Sequence, residues 1–156
     1  MGVFCEAARR VREDPALLGH GIEVFGPIHR DLTLGNLLFE TRTGMVGATD
    51  FDQCGLGHYL FDLSVVLRSL LRSWRRAGRP EGTQERAREA LIEDYADVRS
   101  LPPDHGRLLR AFDVMQRTAA VNRTLRLRSS RTTQDQARGD AFLRQFVVWL
   151  ERGYLA

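Results

Sequence analysis

Two short polar motifs lie on either side of a segment patterned like a β-hairpin, and together they constrain the fold more than any other feature. The first motif, residues 29–36, reads His-Arg-Asp-Leu-Thr-Leu-Gly-Asn, and fourteen residues after its Asn comes the second, Asp50-Phe51-Asp52. Between them, the apolar stretches 36–40 and 45–49 flank a Thr-Arg-Thr-Gly turn at 41–44, which is typical of two antiparallel strands. The two motifs are therefore predicted to meet at the open end of one hairpin.

The side chains that this hairpin would gather are those that phosphoryl transfer needs. Such a site places a carboxylate beside the attacking hydroxyl and a magnesium ion against the transferred phosphate, because positioning and charge neutralisation carry most of the catalysis. Asp31 can supply the carboxylate, and Asn36 and Asp50 can supply two oxygen ligands for Mg²⁺. Either motif alone is better explained as a chance match or a strand end. Their order, the hairpin and the later Asp62 together favour a phosphotransfer site.

In these motifs the chain resembles the aminoglycoside phosphotransferase and choline kinase-like family, which has an H-G-D-x-x-x-x-N loop, a D-F or D-W metal motif and a later D-L-A-like helix start. Arg30 stands where that family usually has Gly and matches the H-R-D loop of protein kinases. Only eleven residues separate Asp50 from Asp62, and the chain has no D-F-G or A-P-E sequence, so an activation segment has no place. The small-molecule branch of these kinases is the better match.

The resemblance implies roles for the residues that match the two motifs. Asp31 becomes the catalytic carboxylate, which orients the substrate hydroxyl or accepts its proton, while Asn36 and Asp50 become the magnesium ligands. Asp52 is a weaker candidate ligand. His29 is expected to support the loop rather than to react.

The resemblance also implies an ATP site beside the hairpin. Leu38 falls where family members place an apolar floor under the adenine, and Thr49 falls beside the same pocket; ordinary packing within the hairpin explains both residues equally well. Asp62 is expected to cap or brace the helix that follows it. The family commonly has G-D-P after the metal motif, whereas this chain has Gly-His-Tyr at 57–59.

Two parts of a complete kinase-like site have no counterpart in the sequence. Such sites use a β-rich lobe with a loop over the phosphates, and usually a Lys that reaches the α- and β-phosphates. Only 28 residues precede His29, and all 23 residues counted as Lys plus Arg are Arg, whose planar fork makes it a poor replacement for that Lys. We therefore expect residues 1–156 to form a single domain, the C-terminal lobe of a phosphotransferase without its N-terminal nucleotide lobe.

Outside the hairpin, apolar residues recur mainly at helical spacing. A strand is expected within 23–28, and helices are predicted at 5–18, 59–74, 83–98, 104–127 and 133–151. The expected fold class is α+β and mainly α, the C-terminal lobe of a protein-kinase-like fold with a small β-hairpin that carries the metal site.

Composition narrows the location and the partners. With 43% hydrophobic and 28% charged residues, the chain is an ordinary globular protein, with neither an apolar run long enough for a membrane span nor a signal-peptide core. We expect a cytoplasmic protein with no membrane partner. Cys5 and Cys54 are too few for a metal cluster or a disulfide framework and are expected to stay reduced.

Two charge patterns favour other partners only weakly. The formal charge is +3, and a basic run includes Arg117, Arg123, Arg126, Arg128 and Arg131. Because no aromatic platform or nucleic-acid motif accompanies this run, a solvated helix face is the better interpretation. The same holds for the acidic repeat of Glu81, Glu85, Glu89 and Glu93, which a polycationic substrate would otherwise favour.

Two functional classes follow from these patterns. The first is an ATP- and Mg²⁺-dependent phosphotransferase that acts on a small-molecule hydroxyl. The second is a truncated or degenerate kinase lobe without activity, which binds ligand weakly or serves as an interaction module; we favour it for the isolated chain. An uncovered apolar surface between lobes would drive self-association or pairing with the missing N-terminal lobe.

Overall fold

A computed structural model describes residues 2–16, 18–126 and 132–155 of the chain. Helices dominate these residues, and the strands are short, which confirms the predicted mainly α class. In chain order the elements are α1 (Val3–Ala16), β1 (Phe25–Ile28), β2 (Leu37–Phe39), β3 (Val46–Ala48), β4 (Gly55–His58), α2 (Tyr59–Arg76), α3 (Glu81–Val98), α4 (His105–Arg126) and α5 (Thr133–Trp149). Short 3₁₀ turns occupy Leu34–Asn36 and Phe51–Gln53, and α5 ends in a π-helical turn at Leu150–Tyr154.

The chain divides into two compact units, which we name the site unit and the helical unit. The site unit is Leu18–Leu109, and the helical unit combines Met1–Leu17 with Arg110–Ala156. Both predicted motifs belong to the site unit.

The hairpin predicted between the motifs is confirmed as β2 and β3. The strands pair antiparallel with Leu37 opposite Ala48 and Phe39 opposite Val46. Gly44 closes the turn at a φ of 72°, a left-handed conformation that Gly adopts without steric cost. Because β2 and β3 are paired antiparallel and joined by a short turn, the residues just before β2 and just after β3 lie at the same end of the hairpin.

A second antiparallel pair, β1 with β4, was only half predicted. The strand leading into the first motif is confirmed at Phe25–Ile28, but the sequence patterns predict no strand at its partner, Gly55–His58. Glycine is a poor strand former in general, but here it admits close neighbours. A Cβ on Gly57 would lie 2.3 Å from Cδ1 of Ile28, and one on Gly26 would lie 2.1 Å from Oη of Tyr59.

Helix α2 holds the site unit together. It contacts β1, β4, the Leu34–Asn36 turn and α3. Four of its buried residues, Leu60, Leu63, Ser64 and Leu67, recur three and four positions apart along one face, as expected for an amphipathic helix, and Val65 is buried as well. The catalytic-loop region is therefore built on a packed helix rather than on the hairpin alone.

The helical unit has a separate apolar core. Its buried residues come from α1, α4, α5 and the π-helical turn, and they are Ala7, Ala111, Val114, Phe146, Leu150 and Tyr154. The ring of Phe146 lies 6.1 Å from that of Trp149 and 6.3 Å from that of Phe4. The Oη atom of Tyr154 lies 3.4 Å from the carboxylate of the buried Asp14.

The predicted helices are found within a few residues of their expected bounds. No described bound differs by more than two residues, and α5 ends at Trp149 rather than at residue 151 because the backbone changes to the π-helical turn at Leu150. The predicted end of α4 at Leu127 and the basic residues Arg128 and Arg131 lie outside the described residues. No helix in the described ranges combines the length and the apolar composition that a membrane crossing requires.

Candidate functional site

The predicted catalytic loop connects β1 to the Leu34–Asn36 turn, and it brings Asp31 and Asn36 together. The Nδ2 atom of Asn36 donates to the backbone oxygen of Asp31 at 2.8 Å and lies 3.4 Å from its Oδ2 atom. The Asn36 amide nitrogen is thus turned toward Asp31. The Oδ1 atom of Asn36 is left as the acceptor end of this amide, which is the end that a hard cation binds.

Asp50 lies at the same end of the hairpin as Asn36. The backbone N–H of Thr49 donates to the backbone oxygen of Asn36 at 3.0 Å, so the ladder extends one step beyond β2 and β3. Asp50 follows with a φ of 64° and a ψ of 63°, and its side chain makes no capping hydrogen bond to the next turn. Asp tolerates this left-handed conformation better than most residues. Asp50 is exposed and directly follows Thr49, the residue whose backbone is bonded to that of Asn36.

His29 connects the loop to the end of β3. Its Nε2 atom lies 2.8 Å from the backbone oxygen of Thr49, and its Nδ1 atom lies 3.4 Å from the backbone nitrogen of Asp31. A carbonyl oxygen only accepts, so Nε2 donates to Thr49, and Nδ1 accepts from the backbone N–H of Asp31. The ring is buried, and its centroid lies 4.7 Å from that of Phe51. His29 supports the loop, in agreement with its predicted role.

Asp62 braces the catalytic loop, which corrects the expectation that it caps or braces its own helix. Its Oδ2 atom accepts from the backbone N–H of His29 at 2.7 Å, and its Oδ1 atom accepts from that of Arg30 at 2.8 Å. A second link between α2 and the loop runs from the Leu34 N–H to Oγ of Ser69 at 3.0 Å. Both oxygens of one carboxylate thus accept from two successive backbone amides. The sequence does not predict this contact, because Asp62 is far from the loop along the chain.

Leu38 and Thr49, the predicted nucleotide-site residues, are both exposed. Leu38 is 60% exposed, and Thr49 also faces solvent, so burial within a hairpin core does not explain either residue. Asp52, in the turn after Asp50, is exposed as well. In the described part of the chain, no group of three or more His, Cys, Asp or Glu side chains is arranged to hold a metal ion.

Three rings cluster beside the β1–β4 pair, where the related family commonly carries an acidic residue. The Phe25 centroid lies 4.7 Å from that of His20 and 5.2 Å from that of His58, and the two imidazole centroids are 5.7 Å apart. Burial lowers the pKa of His58, and the nearby His20 lowers it further, while a backbone hydrogen bond at Val24 opposes the change. This region is aromatic rather than acidic.

The chain belongs to the phosphotransferase enzyme family named APH, whose model matches residues 7–109. The match includes the whole of the loop, the hairpin and α2. No curated protein sequence matched the chain.

Two kinases of known structure share the fold. One is a microcompartment-associated aminopropanol kinase, 22% identical with a TM-score of 0.71. The other is the amicoumacin kinase hAmiN, in complex with AMP-PNP, Ca²⁺ and Ami, 20% identical with a TM-score of 0.73. Each alignment covers 96% of this chain but only 44% of the kinase, so the chain spans less than half the length of either protein.

Proposed function

We propose that this chain carries the catalytic lobe of an ATP-dependent phosphotransferase that transfers the γ-phosphate to a hydroxyl of a small molecule. The observation that carries the proposal is the joining of Asp31 to Asn36 by hydrogen bonds at the hairpin end that also bears Asp50. Membership of the phosphotransferase family supports the reaction class. The small-molecule kinases that share the fold support the class of acceptor.

The donor set fits a magnesium ion bound together with a nucleotide. Asn36 Oδ1 and the Asp50 carboxylate are hard oxygen donors, and Mg²⁺ usually keeps several positions for water and phosphate rather than filling them from protein. Two protein ligands are therefore enough, which agrees with the lack of a larger acidic cluster among the described residues. The bound ion would neutralise the charge that develops on the phosphate.

Asp31 is proposed to act on the acceptor. Its carboxylate can accept a hydrogen bond from the substrate hydroxyl, which orients the oxygen for attack, and can take the proton as the bond to phosphorus forms. Asn36 holds the backbone oxygen of this residue, and His29 accepts from its backbone N–H. The side chain is thus presented from a loop fixed at several points.

The exposed apolar residues of the hairpin, which lie on both of its faces, are proposed to receive the nucleotide and the remainder of the enzyme. Leu38 would lie under the adenine, with Thr49 beside the same pocket. Phe39, Met45 and Val46 are 62%, 70% and 56% exposed, and large apolar side chains clustered on one element are rarely all left uncovered on a protein surface. A nucleotide-binding lobe is the partner that this surface fits best, and self-association is the alternative.

The same exposed apolar residues of the hairpin support a second candidate function, in which the chain serves as an interaction module without activity. The exposed hairpin residues would form the contact with the partner in this case. The free state of Cys5 and Cys54 is compatible with a reducing, cytoplasmic compartment in either case.

Calorimetric titration with Mg·ATP separates the two candidates. We expect binding that is lost in Asp50→Asn and retained in Asp97→Asn, because Asp97 is an exposed carboxylate of α3 in the same unit and belongs to neither motif. Binding that is unaffected by Asp50→Asn, or absent from the unaltered chain, would contradict nucleotide binding and favour the interaction module.

Turnover against a panel of aminoglycosides, amino alcohols and hydroxy amino acids tests the reaction. We expect Asp31→Asn to lower kcat by about 10²- to 10⁴-fold, the usual contribution of a positioned acid–base group. An unchanged kcat would reject the role of Asp31.

A further inference from the structure

Arg30 occupies a backbone conformation that its side chain does not favour. Its φ is 67°, in the left-handed region, where the Cβ of an L-residue approaches the following carbonyl oxygen and Gly is the usual occupant. Such a conformation persists when the surrounding contacts hold it in place. The residue lies between His29 and Asp31, so whatever holds it also holds the proposed catalytic carboxylate.

The Arg30 side chain turns back onto β4. Its Nη2 atom donates to the backbone oxygen of Leu56 at 3.1 Å. Leu56 belongs to the β1–β4 ladder, and Arg30 follows two residues after Ile28, the last paired residue of β1. A Cβ built on Gly55 would lie 3.1 Å from Cζ and 3.2 Å from Nη2 of Arg30. The absence of a side chain at Gly55 therefore gives the guanidinium its place against the strand.

The Arg30 backbone is held from the opposite direction by α2. Its N–H donates to Oδ1 of Asp62 at 2.8 Å. Helix α2 thus holds the main chain of this residue while β4 holds its side chain. Because the two attachments come from different elements, they restrict rotation of the peptide that leads into Asp31.

We propose that Arg30 is a positioning residue, which sets the orientation of Asp31 through its bond to β4 and does not itself touch a reactant. This inference rests on the proposed function of Asp31, Asn36 and Asp50. It also assigns Gly55 a role in the same contact, namely leaving room for the guanidinium.

Two substitutions disrupt the contact from opposite sides. Arg30→Asn removes the guanidinium but keeps a residue that tolerates a positive φ. Gly55→Ala leaves Arg30 intact and places a methyl group against its guanidinium. Arg30→Lys keeps the charge and one donor and is expected to restore part of the effect, while Arg42→Asn is the control for loss of an exposed Arg from the site unit.

The first readout is the conformation of the loop, which NMR and amide hydrogen exchange report in the absence of metal. We expect exchange at residues 30 and 31 to rise about fivefold in Arg30→Asn and Gly55→Ala, the factor that one hydrogen bond of ordinary net strength supplies. The Asn36 side-chain amide shifts should change in the same two variants. The double variant should show no further change, and the midpoint of thermal unfolding should stay close to that of the unaltered chain.

The second readout is Mn²⁺ affinity, measured by water-proton relaxation. Loss of a positive charge near Asp31 and Asp50 would by itself strengthen cation binding, whereas a misplaced loop weakens it. We expect weaker binding in Arg30→Asn and in the charge-neutral Gly55→Ala, and none of this weakening in Arg42→Asn.

Unchanged exchange and unchanged Asn36 shifts in both variants would overturn the inference, as would faster exchange with unchanged Mn²⁺ affinity. If the unaltered chain lacks Asp50-dependent Mn²⁺ binding, the proposed metal site fails, and the exchange and Asn36 shifts still decide whether Arg30 orients the loop.

Discussion

The two units of this chain are stabilised in different ways. The helical unit closes around a set of apolar side chains, of which Phe146 is 3% and Leu150 is 1% exposed. The site unit has a packed face on α2, but its loop is held by hydrogen bonds to backbone amides from Asp62 and Ser69. Apolar packing does not depend strongly on the orientation of the contacting groups, whereas a hydrogen bond requires a defined donor–acceptor geometry.

This difference shows which side chains need a defined orientation. Side chains that only have to exclude water can be held by volume and shape. In the proposed function Asp31 presents a carboxylate in one direction, and its loop is held by directional bonds at several points. Substitutions in the helical unit should therefore act mainly on stability, while those in the site unit should act on geometry as well.

The largest expected effect is on stability, and it tests the apolar core of the helical unit. Phe146→Ala removes a buried ring that lies near Phe4 and Trp149, and we expect a loss of about 3–5 kcal/mol in the free energy of unfolding. Urea denaturation measures it, with Val148→Ala, at a position 47% exposed on the same helix, as the control. Equal losses in the two variants would show that this core is not closely packed.

The next effect tests whether polar bonds in the site unit approach the same strength. Asp62→Ala leaves the amides of His29 and Arg30 without their acceptor, and we expect a loss of about 2–3 kcal/mol because the acceptor is charged. Asp62→Asn keeps one acceptor oxygen and should lose less. Asp52→Ala, an exposed carboxylate, is the control for charge.

A loss below that of Asp52→Ala would contradict the role of Asp62 as the brace of the loop. Hydrogen exchange at residues 29 and 30 shows whether the change is local to the loop.

A matched pair of glycines measures how closely the β1–β4 pair is packed. Gly57→Ala would place its methyl group 2.3 Å from Cδ1 of the buried Ile28, and we expect a loss of about 1–2 kcal/mol from overpacking. Gly47→Ala, in β3, meets Cβ of Leu38 at an ordinary 4.0 Å and should be close to neutral. Thermal unfolding compares the two variants, and a neutral Gly57→Ala would show that Ile28 moves aside freely.

The smallest expected effect is the pH dependence from His58. Its pKa is lowered in the folded protein by burial and by His20, so the unfolded chain binds the proton more readily. Stability contributed by the neutral ring is complete above the ordinary pKa of 6.5 and falls as the pH drops through 6.5 toward the lowered folded value.

We expect His58→Gln to lose less stability than the unaltered protein between pH 8 and pH 5, about the range over which an ordinary histidine titrates. Unfolding midpoints across that range provide the measurement. His20→Gln should show part of the same change, because it removes one cause of the lowered pKa. Identical pH dependence in His58→Gln and the unaltered protein would show that this ring does not contribute.

The sequence by itself determined the parts of the fold and the candidate site that depend on local spacing. The helices follow from periodicity, and the hairpin follows from a four-residue turn between apolar stretches, since a short loop sets the register. That register places Asn36 near Asp50, and Asp31 lies in the same loop as Asn36 with only four residues between them.

Only the tertiary structure decided how that loop is held. Asp62 reaches His29 from 33 residues away, and Arg30 reaches Leu56 across 26 residues. The glycine-rich β4 carries no strand signal of its own and becomes a strand because β1 lies beside it. Such contacts depend on the packing of α2, β1 and β4 together, and no local pattern encodes them, because a side chain finds a distant partner only after the chain between them has folded.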